Sequence, residues 1–136
     1  MTAWEILTQI KGTLALVDGI ATCAIGLEAN ITPSDYPLIR IVPTRLIPKD
    51  EVGNRALIEL TLYFGDALLE STDGLEAVYQ RLLALESEIR QEVLFGAVRV
   101  AWVDGHRLSA RFIDTLFDED RLPHYKMMAS RFEVEG

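Results

Sequence analysis

An α+β domain is the fold this sequence predicts, with a mainly antiparallel sheet, two helices packed on one face and a long projecting β-hairpin. Three observations carry that expectation. Residues Ala56 to Phe64 alternate with a period of two, so that Ile58, Leu60, Leu62 and Phe64 face one way and Leu57, Glu59, Thr61 and Tyr63 the other. Two further stretches, Ala3 to Val17 and Asp73 to Val93, repeat their apolar residues three and four apart, the period of an amphipathic helix. Short polar segments separate the extended stretches, as hairpin connections do.

The first helix opens with a capping box. Thr2 is placed to accept the N–H of Glu5, and the Glu5 side chain to reach back to the N–H of Thr2. Ala3, Leu7, Ile10, Leu14 and Val17 form its apolar stripe, and Asp18-Gly19 is the natural stop. Gly12 weakens the middle by about 1 kcal/mol relative to alanine, so packing must hold it. Ala21 to Glu28 reads as a strand with Cys23, Ile25 and Leu27 on one face. Thr32-Pro33 and Tyr36-Pro37 mark a turn whose residues before proline are extended, leading into a strand from Leu38 to Ile47. Pro43 cannot donate to a ladder, which favours an edge, a bulge or an arm leaving the sheet. The polar tip, residues 48–54, joins that strand to Ala56 to Phe64 and completes the hairpin.

The second helix is expected to start at Asp73, capped by an Asp73–Glu76 arrangement, with Leu75, Val78, Leu82, Leu85, Ile89 and Val93 buried and Gly96 as its end. Glu86 and Arg90 lie four apart in the favourable order. Beyond it, Val98, Val100 and Trp102 alternate with Arg99, Ala101 and Val103, predicting a strand. Asp104-Gly105 then reads as a two-residue turn, with Arg107 to Ile113 as the returning partner. Asp114 to Leu122 reads as an acidic loop closed by Pro123. His124 to Glu135 is the last strand, with Met128, Phe132 and Val134 on one face and Arg131 and Glu133 on the other. Trp4 and Trp102 are both expected on packed faces.

The 136 residues suit one domain spanning 1–136, and the 49% apolar fraction is ample for one core. No stretch approaches the roughly 18 apolar residues of a membrane span, and the N-terminus has no signal-peptide pattern. The lone Cys23 cannot form an internal disulfide, which fits a reducing cytoplasm. A net charge of −8 repels phosphate backbones and argues against non-specific nucleic-acid binding; Arg99, Arg107 and Arg111 read as ordinary surface charge.

Reactive chemistry finds little purchase. His106 and His124 lie apart from each other and from Cys23, without the spacing of a metal site. His106 should be exposed after its turn, His124 should be a packing or hydrogen-bonding residue, and Cys23 should be a small buried hydrophobe. Asp114, Asp118, Glu119 and Asp120 lack the glycine and bidentate glutamate of an EF-hand loop and read as a solvated surface. Thr72-Asp73-Gly74 is explained by capping, and Asp73 opposes an anion there. No nucleophile-elbow, dinucleotide or P-loop motif occurs, so the balance falls against an enzyme.

In element order and in local stretches the chain resembles bacteriophage tail terminator (tail completion) proteins. The resemblance spans nearly the whole chain: the opening helix, "YPLIRIVP" at Tyr36 to Pro43, "ALIELTLYFGD" at Ala56 to Asp66, "GLEAVYQRLLALESEIRQEV" at Gly74 to Val93, and the closing "MASRFEVEG". It implies a structural, non-catalytic protein of the virion tail, assembled in the host cytoplasm. That protein would form a homo-oligomeric ring, commonly six subunits, on the last ring of tail tube protein, and offer its other surface to a head–tail connector. DNA would pass through the channel without specific binding, and no cofactor, metal or membrane is implied. On that basis the subunit interface is expected at Ile39, Ile41, Arg45, Lys49, Asp50, Glu51, Leu57, Glu59, Thr61 and Tyr63, with Lys49, Asp50 and Glu51 at the hairpin tip. The same hairpin reads equally well as two core strands of a monomer. An adaptor of another tail-like contractile or secretion machine, or a small α+β ligand-binding domain or enzyme, remains an alternative.

Overall fold

The computed structural model describes residues 1–67, 74–118 and 125–136. The chain runs α1 (Ala3–Leu14), β1 (Thr22–Ile25), β2 (Leu38–Pro48), β3 (Ala56–Ala67), α2 (Leu75–Gln91), a π-helical turn (Glu92–Gly96), α3 (Ala97–Val103), β4 (Ser109–Phe117) and β5 (Tyr125–Glu135). A short 3-10 turn, Pro33–Asp35, precedes β2. The fold is α+β. Among the described residues five strands lie in the order β1-β2-β3-β5-β4, antiparallel throughout except for the parallel pair β1–β2.

One face of this sheet makes the core. Ile39 and Ile41 of β2, Ile58, Leu60, Leu62 and Phe64 of β3, and Met128, Phe132 and Val134 of β5 are buried there. Ile6, Leu7, Ile10 and Leu14 of α1 and Val78, Leu82, Ile89, Val93, Ala97 and Ala101 of the second helical rod close over them. The helices therefore cover one face of the sheet among the described residues. Among the described residues no helix is long and apolar enough to cross a membrane.

Several elements follow the sequence closely. Thr2 caps α1, its hydroxyl oxygen accepting the Glu5 N–H at 3.2 Å. The Glu5 carboxylate accepts from the Thr2 hydroxyl at 3.0 Å, where the backbone N–H had been expected. Thr32 and Tyr36 are both extended before their prolines, as the ring sterics require. Pro43 opens a bulge between Pro43 and Arg45 in the β2–β3 ladder. On β5, Met128, Phe132 and Val134 point to the core and Arg131 and Glu133 away from it.

Other expectations are corrected. Val98 to Val103 is helix α3 and not a strand. The α2 pattern carries through the π turn, so Val93, Ala97 and Ala101, four apart, continue the buried stripe. The β-branched valines disfavour helix by only tenths of a kcal/mol each, less than that burial returns. Gly96 does not end the helix. It sits inside the π turn close to α1, where an added Cβ would lie 3.3 Å from the Thr13 methyl. Asp104-Gly105 closes α3 in a Schellman motif: His106 N–H reaches Ala101 O at 2.8 Å, Gly105 N–H reaches Trp102 O at 3.0 Å, and Gly105 takes φ +81°. The partner of β4 is therefore β5, not residues 98–103. The β2–β3 hairpin does not project as a long arm, because β5 pairs β3 along its whole length, from Leu57↔Glu135 to Ala67↔Tyr125. Only the tip extends. At the start of α2, Gly74 occupies the cap position without a side-chain bond, and the predicted Asp73 cap lies outside the described residues.

Candidate interaction surface

The face of the sheet turned away from the helices carries the most organised charge in the molecule. Strand register places its side chains in transverse rows. Arg45, Glu59, Glu133 and Arg111 form one row across β2, β3, β5 and β4; Val42, Thr61, Arg131 and Asp114 form the next. Arg45 pairs with Glu59 at 3.6 Å and Arg111 with Glu133 at 3.1 Å. Arg131 grips Asp114 with both arms of its guanidinium, Nε donating to Oδ1 at 2.6 Å and Nη2 to Oδ2. That bidentate bond holds the Asp114 carboxyl below its usual range and raises Arg131 further. Ion pairs this exposed add little to the stability of the monomer.

The opposite end of the same face is closed by the chain itself. Arg40, only 2% exposed, donates to Glu28 Oε2 at 2.8 Å and to the carbonyls of Thr22 at 3.2 Å and Ile39 at 2.9 Å. The Arg40 hydrogen bond pulls the Glu28 carboxyl down. Tyr36 stacks on Tyr125 with ring centroids 4.6 Å apart, and burial pushes its hydroxyl up. The uncovered area is thus the half of the sheet nearer the hairpin tip.

Of the expected interface residues, Arg45, Leu57, Glu59 and Tyr63 lie on this outer face. Thr61 shares the face but is nearly buried between its neighbours. Ile39 and Ile41 are corrected: both are wholly buried in the core of their own chain, because they alternate onto the helix side with Phe64 and Leu62. Lys49, Asp50 and Glu51 are at the tip. There Asp50 Oδ1 accepts the Asn54 N–H at 3.0 Å, and Gly53 at φ +76° lets the turn close so that Lys49 N–H meets Arg55 O at 3.0 Å. Val52 stands out from this turn, 75% exposed.

The remaining sequence candidates scatter. His106 is exposed, as expected. Cys23 is only half-buried on β1, and burial raises its thiol against the pull of Arg40 and Lys11. The acidic loop is corrected at its start: Asp114 belongs to β4, and Asp118 pairs with the buried Lys126 and accepts the Met127 N–H. Glu119, Asp120 and His124, like Thr72 and Asp73, lie outside the described residues. Among the described residues no three His, Cys, Asp or Glu side chains come together as a metal site would require. Trp4 and Trp102 are not on packed faces; they are 64% and 72% exposed.

Sequence reasoning missed the Asp114–Arg131 pair and the Arg111–Glu133 pair, since it ended the fourth strand at Ile113 and gave it the wrong partner. The alternation of Ala110 and Phe112 toward the core, with Arg111 opposite, was the available signal. It also missed a cleft of about 580 Å³ beneath the end of α3, lined by Arg55, Trp102, His106, Arg107 and Glu135 among others. Comparison with protein-family models and with curated proteins finds no match to this chain.

Proposed function

We propose that this chain is a structural subunit of a phage-type tail: a tail terminator that assembles as a ring on the tail tube and presents its other surface to the head connector. The observation that carries this reading is the outer sheet face, whose half nearer the hairpin tip is open and is patterned with paired guanidinium and carboxylate groups. Such a face suits a neighbour of fixed orientation, and head-to-tail contacts between unlike patches close into rings. The sequence resemblance supplies the order of elements and the tail context. A net charge of −8 suits a channel through which DNA slides without adhering.

Native mass spectrometry over a concentration series, with and without tail tube protein, tests the proposal. A discrete ring is expected, and Arg131→Glu, which sets like charges side by side on that face, is expected to weaken it about tenfold. A chain that stays monomeric both alone and with the tube protein overturns it.

A further inference from the structure

Two exposed features of this molecule gain nothing from their place in the monomer and match each other. Val52 sits at the outermost turn of the hairpin, 75% exposed, where a solvated loop would ordinarily carry a polar residue. It directly follows the acids Asp50 and Glu51 in a tip that also carries Lys49. The turn that presents it is held by the Asp50–Asn54 bond, so the shape of the tip is set before any contact is made. The cleft under α3 has the opposite character. Its apolar lining includes the indole of Trp102, 72% exposed, with Val98 and Leu108, and its rim carries Arg55, His106 and Arg107 beside Glu135 and Gly136. Arg55 spends part of its charge on Glu135 at 3.6 Å, while Arg107 makes no ion pair among the described residues. In a chain of net charge −8 this is an aromatic recess with an arginine, Arg107, left to meet an acid.

We propose that the cleft lined by Arg55, Trp102 and Arg107 receives the hairpin tip of a second copy of this chain, with Val52 against the indole and Glu51 against Arg107. Both features lie at the same end of the sheet. The tip extends from β2 and β3, whereas the cleft opens beside the start of β4 and the end of β5. A contact from one to the other joins two different patches, so it can repeat from subunit to subunit around a ring. An apolar anchor ringed by opposite charges excludes water from the centre while the charges fix orientation. The proposal rests on the reading of the chain as a self-assembling ring subunit and names the surfaces that meet.

The test is a charge swap read by native mass spectrometry. Glu51 and Arg107 are both exposed, so Glu51→Lys and Arg107→Glu leave the monomer folded. Each single variant is expected to weaken assembly about tenfold, and the double variant to return to within about threefold of the parent. Independently, Val52→Cys with Trp102→Cys in a Cys23→Ser background should form disulfides between copies under mild oxidation. If the parent forms rings but the double variant is no better than either single one and no cross-link appears, the tip–cleft contact is wrong and the ring reading stands. If the parent stays monomeric alone and with tube protein, both fall.

Discussion

Trp102 and Phe132 show how position decides the worth of an aromatic ring. Phe132 is wholly buried, tilted against Phe112 with centroids 5.4 Å apart. Phe132→Ala should cost about 3–5 kcal/mol, through lost transfer energy and the cavity left behind. Trp102→Ala should change monomer stability by less than about 0.5 kcal/mol, because the indole is already in water. Urea unfolding of the two variants checks both values, and equal large losses would contradict the placement of Trp102. Acid sensitivity also belongs to single residues. Asp114 and Glu28 have folded-state pKa values below their unfolded ones, because Arg131 and Arg40 bond their ionised forms. Their contribution is therefore complete above the ordinary carboxylate range, near pH 4, and is lost as pH falls through and below it. The urea midpoint of the parent should fall over that window, and that of Asp114→Asn should fall less.

At the level of elements, β3 is the strand on which the sheet depends, since it lies between β2 and β5 along its whole length. Gly65 is what lets β5 approach: an added Cβ would collide with the Met127 sulfur and lie 2.7 Å from the Lys126 carbonyl oxygen. Gly65→Ala should destabilise the fold by about 1–3 kcal/mol through overpacking against backbone that cannot yield, measurable by thermal or urea unfolding. The sheet edges are treated differently from its centre. β1 pairs only Leu38 to Ile41, so the outer half of β2 is open, and Pro43 with its bulge interrupts that edge; β4 carries a bulge between Phe112 and Asp114. Both devices discourage indiscriminate strand addition. They leave the outer face and the tip as the surfaces suited to a specific neighbour.

For the whole molecule, the division of labour is between a covered face that supplies stability and an uncovered one that supplies pattern. The periods of β3 and β5, most of the two helical stripes, the Thr2 cap and the Pro43 irregularity were legible in the sequence, because each is written within a few neighbouring residues. Ile58 to Phe64 and Met128 to Val134 declared their core faces by alternation alone. The sequence by itself thus determined the α+β class, the hairpin and the excess of acid. Only the tertiary structure decided that Val98 to Val103 is helix, that β4 joins β5, and that Ile39 and Ile41 turn inward. It also decided that Arg131 meets Asp114 and that Trp102 opens onto a cleft. The reason is physical. Local propensities differ by tenths of a kcal/mol per residue, so a segment that reads equally as strand or helix takes whichever form buries its small residues against elements far away in the chain.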